Sequence, residues 1–175
     1  HVWAGEHADI NLITALPRAT AAGLQLKTPD GEWSDVAPPE GSAIINTGLM
    51  LERMTNGMIP PGIHRVVSGA GQQGDRYSVV QFAHPTPWTI LAPMPSTVTA
   101  ENPLRYSAIA ASDSVCRRES CVADIDVGPR IVCGRRVIDA VSRITAAANV
   151  RMASLAITAV WMQNCNDQGC TMQQD

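Results

Sequence analysis

Three residues of the chain carry side chains that could together bind a metal ion. His7 and Asp9 are two residues apart, so on an extended strand both side chains leave from the same face. His64 follows much later, far enough along the chain for several strands to lie between them. Two imidazoles and one carboxylate on one side of an iron(II) ion leave its opposite coordination positions open. This spacing predicts an iron(II) site at His7, Asp9 and His64.

A second pair of residues suggests a site for an anion. Arg76 and Ser78 are again two residues apart, so a strand places both on one face. The planar guanidinium of arginine donates two parallel hydrogen bonds to a carboxylate, and a hydroxyl beside it can add another. We therefore predict that Arg76 and Ser78 bind a carboxylate group of a small molecule.

The composition is that of a globular protein of one domain. The chain has 175 residues, of which 45% are hydrophobic and 17% charged, with a net charge of −3. This charge gives no attraction to nucleic acids or anionic membranes, and no apolar run reaches the roughly 20 residues of a membrane span. No secretion leader is visible either, so we expect a cytoplasmic protein. The oligomeric state stays open.

The two parts of the chain differ in composition, which predicts a boundary near residue 110. Residues 1–110 hold 11 of the 12 prolines, whereas residues 111–175 hold all five cysteines. An odd number of cysteines favours free thiols over a disulfide framework. The pairs Cys116/Cys121 and Cys165/Cys170 have wider spacing than most zinc sites, so zinc binding is the weaker alternative.

The first 110 residues predict a mainly β fold. Short apolar or alternating runs are separated by Gly, Pro and Asn, the pattern of a β-sandwich or barrel. Pro17 is expected to end the first of these runs after the metal pair. Asp30-Gly31 and Asn56-Gly57 predict tight turns, and residues 49–54 predict a helical turn. The predicted strands cover residues 10–14, 23–27, 33–36, 43–46, 63–67 and 76–82, with the strand at 43–46 expected to be buried.

The last third of the chain predicts one helix. Between residues 138 and 160 apolar side chains recur every three or four positions, the period of an amphipathic helix. We expect residues 111–175 to form a divergent, partly helical tail.

A series of short motifs in residues 3–108 resembles the isopenicillin N synthase-like 2-oxoglutarate/iron(II) dioxygenases. The motifs follow the family's order and nearly its spacing, which is harder to reach by chance than one motif. They are His7–Thr14, Gly23–Gln25, Gly31–Trp33, Ile45–Gly48, Thr55–Gly57, His64–Val66 and Arg76–Ser78.

The resemblance implies a fold, a site and a reaction. The fold would be a double-stranded β-helix, that is, a cupin-like jelly roll. Iron would be bound by His7, Asp9 and His64, and the distal carboxylate of 2-oxoglutarate by Arg76 and Ser78. The reaction would couple O2-dependent decarboxylation of 2-oxoglutarate to hydroxylation of a small organic substrate, or to its desaturation or cyclisation.

The chain departs from the family's pattern in three places. The family usually has an acidic residue where this sequence has Leu49. The family's long N-terminal region has no counterpart, so we expect a jelly roll that is incomplete at its N-terminus. Residues after about 110 do not resemble the family's ending.

Two alternatives stay open beside the oxygenase. One is a non-catalytic jelly-roll remnant that binds a metal or a partner without turnover. The other is a related oxidase that does not use 2-oxoglutarate, because a carboxylate of its own substrate could occupy Arg76 and Ser78.

Overall fold

The structure is a computed structural model that describes residues 1–69, 71–72, 74–119, 157–166 and 169–174. These residues form a mainly β fold with two larger antiparallel sheets, a short two-stranded sheet and few helices. None of the described helices is long and apolar enough to cross a membrane.

Eleven strands and two α-helices make up the described chain. The strands are β1 Val2–His7, β2 Ile13–Ala19, β3 Leu24–Lys27, β4 Trp33–Asp35, β5 Ile44–Thr47, β6 His64–Val67, β7 Arg76–His84, β8 Ile90–Leu91, β9 Ile109–Ala110, β10 Ile157–Asn166 and β11 Gly169–Gln174. The helices are α1 Leu49–Met54 and α2 Ala111–Glu119.

The two larger sheets have the order β1-β6-β3-β4 and β11-β10-β7-β2-β5. Antiparallel pairing of β1 with β6 joins strands that are distant in sequence, and β2 and β7 are joined in the second sheet in the same way. Such non-local antiparallel pairs are the framework of a jelly roll. The mainly β jelly-roll prediction is therefore confirmed for the described residues.

A small apolar core of Trp3, Leu24 and Val66 lies on the first sheet. Leu24 and Val66 are cross-strand partners on β3 and β6, and all three side chains are buried. Ile44, which comes from β5 of the second sheet, packs against this cluster. Burial of apolar surface between the sheets holds them face to face.

Local turn chemistry agrees with the sequence predictions. Gly31 has a positive φ of 88° in the hairpin between β3 and β4, and Asn56 and Gly57 follow α1 with φ of 52° and 81°. Glycine and asparagine tolerate this left-handed region better than other residues. The side chain of Asn56 is fully buried and donates to the carbonyl groups of Asn102 and Pro103.

Two of the strand predictions need correction. Pro17 does not end the first strand, since β2 continues to Ala19. The register of β2 against β7 shifts between Ala15 and Arg18, and such a bulge accommodates a residue that has no N–H to donate. The strand at 43–46 is not fully buried, because β5 is an edge strand and Ile45 is 58% exposed.

The predicted helix over 138–160 is wrong at its C-terminal end. Ile157–Asn166 is strand β10, and its residues 157–165 pair with β7. Without β10, one edge of β7 would leave its backbone groups unpaired. The β-branched residues Ile157, Thr158 and Val160 favour the extended conformation that pairs with this edge. Residues 138–156 lie outside the described residues, and the predicted boundary at 110 stays a prediction.

A second apolar cluster, formed by Met50, Leu91 and Ala111, is where we expect the fold to be sensitive to mutation. Leu91 of β8 is 0% exposed and packs with Met50 and Ala111, whereas its neighbour Ile90 is 61% exposed. We expect Leu91→Ala to lower the free energy of unfolding by about 2–5 kcal/mol, because a cavity remains. Ile90→Ala should change it by less than about 0.5 kcal/mol. Urea denaturation of both variants measures this, and equal effects would contradict the described packing.

Candidate metal centre

Strand pairing brings the three predicted ligands together. His7 is the last residue of β1 and His64 the first of β6, and the two are directly opposed in the antiparallel register. Cross-strand partners present their side chains on the same face, and the two imidazole centroids are 4.2 Å apart. Asp9 lies two residues beyond the end of β1, not on an extended strand, and is 8% exposed.

The two imidazoles are oriented by backbone carbonyl groups. Nδ1 of His7 is 2.8 Å from the oxygen of Gly5, and Nδ1 of His64 is 3.0 Å from that of Gly62. A hydrogen on each Nδ1 leaves the lone pair of Nε2 free for a metal. Each Nε2 lies close to Oδ1 of Asp9, at 3.9 Å for His7 and 3.8 Å for His64.

The geometry of this group fits a divalent metal ion. One ligand atom from each of His7, Asp9 and His64 lies within 4.8 Å of the others. Two imidazoles and one carboxylate are the donor set of the facial triad in non-haem iron(II) oxygenases. His7 has a side chain that is 40% exposed, so one side of the group is open. The residues therefore fit an iron(II) ion, which His7, Asp9 and His64 would hold from one side.

Residues that the sequence analysis did not assign to the site donate hydrogen bonds to the second oxygen of the Asp9 carboxylate. Oδ2 of Asp9 accepts a hydrogen bond from Oγ1 of Thr14 at 2.6 Å and from Nδ2 of Asn46 at 2.8 Å. Asn11 in turn donates to Oγ1 of Thr14 at 2.9 Å. All three side chains are buried. In the sequence, the only sign of this network was the presence of polar residues at strand positions where apolar residues are expected. Their spacing does not show that they contact Asp9.

The predicted anion-binding pair lies on β7. Arg76 and Ser78 are each 2% exposed, whereas Tyr77 between them is 40% exposed. The guanidinium donates to the carbonyl of Ala21 at 3.1 Å and to Oγ of Ser78 at 3.2 Å. Burial lowers the pKa of Arg76, but a guanidinium remains protonated in proteins. The pair therefore places a positive charge in the interior of the fold.

A cavity of about 180 Å³ lies beside the metal centre. Its walls are mainly aliphatic side chains from both larger sheets, and the polar groups of Asn46 and His64 reach it. The remaining lining residues are Leu16, Leu24, Leu26, Val36, Ile44, Ile45, Thr47 and Gly62. Apolar walls with a few polar groups are typical of sites for small organic molecules.

Two histidines near Asp9 are held in the neutral form. Desolvation lowers the pKa of His64, electrostatic repulsion between the His64 and His7 imidazoles lowers it further, and the carboxylate of Asp9 opposes both. Desolvation also lowers the pKa of His84, again against the charge of Asp9. His84, the last residue of β7, thus lies within the electrostatic influence of Asp9. A neutral His64 is the form that can bind a metal.

The lowered pKa values predict that the metal-free chain loses stability in mild acid. Below about pH 6.5 the unfolded chain takes up protons on both histidines, which the folded chain resists, so folding becomes less favourable as pH falls. The loss can reach about 1.4 kcal/mol per pH unit for each histidine. Urea denaturation between pH 7 and 5 measures it. The variant His64→Gln/His84→Gln should show a flatter profile, and an unchanged slope would contradict the assignment.

Comparison with known proteins identifies related sequences. The sequence model of the 2OG-Fe(II) oxygenase superfamily matches residues 2–85. Scopoletin 8-hydroxylase from Arabidopsis thaliana is 32% identical over 112 residues, which cover 64% of this chain and 31% of that enzyme. Gibberellin 2-beta-dioxygenase 2 from Oryza sativa is 36% identical over 110 residues, 59% of this chain and 29% of the relative. The chain thus spans about a third of the length of these relatives.

Solved structures agree with these relatives. A 2OG-Fe(II) oxygenase family protein from Caulobacter crescentus has a TM-score of 0.64 and 39% identity, over 68% of this chain and 40% of that one. Full-length T7H of Neurospora crassa, solved in complex with alpha-KG, has a TM-score of 0.63 and 33% identity, over 69% and 38% of the two chains. The similarity covers both the fold and the sequence.

Proposed function

Because the chain belongs to the 2OG-Fe(II) oxygenase superfamily, we propose that it takes part in 2-oxoglutarate-dependent oxidation of a small organic molecule. The superfamily uses iron(II), 2-oxoglutarate and O2. The observation that carries the proposal is the convergence of His7, Asp9 and His64, with both imidazoles turned toward one carboxylate oxygen.

In this proposal His7, Asp9 and His64 are the iron ligands. The carbonyl groups of Gly5 and Gly62 keep a hydrogen on each Nδ1, so both Nε2 atoms offer a lone pair. The carboxylate of Asp9 supplies the negative charge that offsets part of the charge of the ion. Because all three ligands lie on one side, the opposite coordination positions stay available.

We assign Arg76 and Ser78 to the distal carboxylate of 2-oxoglutarate. A buried charge is costly unless an opposite charge and hydrogen bonds accompany it. Among the residues that the structure describes, no carboxylate forms an ion pair with Arg76, and its two hydrogen-bond partners are neutral oxygens. A small dianion such as 2-oxoglutarate can supply the missing charge, and the Ser78 hydroxyl can donate beside the guanidinium.

When bound, iron and 2-oxoglutarate supply the oxidative chemistry: O2 and the keto acid give succinate and CO2, and one oxygen atom is available for the substrate. The residues of the chain orient these groups and limit the access of water. The aliphatic walls of the cavity beside His64 support a substrate or co-substrate with a hydrocarbon portion. Hydroxylation is the outcome we propose, with desaturation or cyclisation as variants of the same chemistry.

Titration of 2-oxoglutarate into the chain tests this proposal. The experiment is calorimetric, under argon, with and without Mn(II) as a redox-stable substitute for iron. We expect one molecule to bind per chain, only when the metal is present. Binding of metal without 2-oxoglutarate would favour the oxidase alternative. Binding of neither by a folded chain would favour the non-catalytic remnant and contradict the proposal.

A further inference from the structure

In the described structure, a second group of buried residues donates hydrogen bonds to the carboxylate of Asp9. We propose that Thr14 and Asn46 are positioning residues that occupy Oδ2 of Asp9, so that Asp9 binds iron through Oδ1 alone. This inference rests on the proposed function and adds residues to which no role has been given. We also infer that position 62 is a glycine because a side chain there would take the space of Asn46.

Oδ2 of Asp9 is occupied by hydrogen bonds from within the chain. A carboxylate oxygen has two lone pairs, and Oδ2 receives two hydrogen bonds, from Thr14 at 2.6 Å and from Asn46 at 2.8 Å. Its capacity is therefore filled by protein donors. Oδ1 of the same group faces Nε2 of His7 and Nε2 of His64 at 3.9 and 3.8 Å. Only Oδ1 is directed toward a metal held by the two imidazoles.

The direction of the Thr14 hydrogen bond is fixed by Asn11. Nδ2 of Asn11 donates to Oγ1 of Thr14 at 2.9 Å and to the carbonyl of Ile13 at 3.0 Å. A hydroxyl has a single hydrogen, and its shortest acceptor here is Oδ2 of Asp9. The chain Asn11 to Thr14 to Asp9 thus runs in one direction and ends on the carboxylate. Hydrogen bonds to a charged acceptor are stronger than neutral ones, so the last link is the firmest.

Two glycines make space for the two asparagines. A Cβ on Gly62 would collide with Oδ1 of Asn46, and a Cβ on Gly48 would collide with the backbone oxygen of Asn11. Neither glycine has a positive φ, so space and not backbone conformation is the reason that a side chain is excluded. Gly62 also provides the carbonyl that orients His64. Asn46 and Gly62 therefore act as one unit that serves both Asp9 and His64.

The hydrogen bonds to Oδ2 of Asp9 affect how many coordination positions of a bound ion stay open. A carboxylate that binds through both oxygens takes up two positions of an ion, whereas one that binds through Oδ1 takes up one. Holding Oδ2 in hydrogen bonds keeps the second position available. It also reduces the rotation of the Asp9 side chain, which is the usual effect of partners behind a metal ligand.

Titration with Co(II) tests this inference without any activity measurement. The whole chain is titrated with Co(II) alone, and its visible spectrum reports the ligand geometry. We expect Thr14→Val and Asn46→Ala to raise the dissociation constant about 10- to 100-fold and to alter the spectrum. Thr14→Ser, which keeps the hydroxyl, should bind like the wild type. Thr28→Val, which removes a hydroxyl that bonds to Glu32 in an exposed turn, is the matched control.

Gly62 is tested by a double-mutant cycle. Gly62→Ala should weaken Co(II) binding about as much as Asn46→Ala, and the double variant should be no weaker than either, because both changes remove the same contact. Additive losses would contradict the assignment of Gly62 to Asn46. If Asn46→Ala does not fold, the comparison of Thr14→Val with Thr14→Ser still tests the positioning role. Valine has nearly the volume of threonine, so Thr14→Val is expected to fold.

The outcomes separate this inference from the proposed function. A wild-type chain that binds one Co(II), loses it in Asp9→Ala, and binds it equally well in Thr14→Val and Asn46→Ala with the same spectrum would overturn the positioning role alone. A folded wild-type chain that binds no Co(II) would overturn the metal site itself, and with it this inference. Weak binding in Thr14→Val together with full binding in Thr14→Ser would support it.

Discussion

Replacement of Asp9 by alanine is expected to raise the dissociation constant for Mn(II) or iron(II) by well over 100-fold, beyond the roughly 10- to 100-fold effect of residues that only support a ligand. The change removes the single negative charge of the ligand set. It leaves two imidazoles that have no anionic partner to offset the charge of the ion, and an Asn46 amide and a Thr14 hydroxyl without their acceptor.

Anaerobic calorimetry measures this effect in the whole chain. Asp35→Ala is the matched control: Asp35 is an exposed carboxylate on β4 that accepts a hydrogen bond from Gln25. The control should bind the metal as the wild type does. If Asp9→Ala retained stoichiometric binding of similar affinity, the metal would lie elsewhere in the chain, and the assignment of the centre would be wrong.

Arg76→Met should raise the dissociation constant for 2-oxoglutarate by about 30- to 4,000-fold, with metal affinity unchanged. Truncation of one member of a buried, hydrogen-bonded charge pair costs about 2–5 kcal/mol. Methionine retains much of the volume and none of the charge. The measurement is calorimetric titration of 2-oxoglutarate into the Mn(II)-loaded chain.

Two variants complete the test of Arg76. Ser78→Ala should have a smaller effect, about 1.5–3 kcal/mol, because only one hydrogen bond to a charged group is lost. Arg53→Met is the control, since Arg53 stacks on Tyr106 and donates to the carbonyl of Ser107, on a different part of the fold. Equal losses from Arg53→Met and Arg76→Met would indicate general damage to the fold, and unchanged binding in Arg76→Met would contradict the anion site.

The sequence was informative where local chemistry decides the structure. The turns at Gly31 and Asn56-Gly57 need a backbone conformation that few residues adopt, and both were predicted. The helical turn at 49–54 and the strands that contain His64 and Arg76 also agree with the structure. The alternation along β7 predicted that Arg76 and Ser78 share one face, and both are 2% exposed whereas Tyr77 is 40% exposed.

The sequence was less informative where partners distant along the chain decide. A proline such as Pro17 usually ends a strand because it has no N–H to donate, but here the bulge between β2 and β7 accommodates it. The apolar period near residue 160 suited a helix as well as a strand, and the free edge of β7 selected the strand. Thr14 and Asn46 could not be assigned to Asp9, because their hydrogen bonds depend on the pairing of β2 with β5 and on the space at Gly62.

The proposed iron site is tested most directly by an anaerobic spectrum of the chain with iron(II), recorded before and after addition of 2-oxoglutarate. We expect a new visible charge-transfer band at one equivalent of each, because such a band requires direct contact between the iron and the keto acid. The band should be lost in both His64→Ala and Arg76→Met. A folded wild-type chain that binds iron(II) and shows no band, or a band that survives both substitutions, would contradict the proposed site.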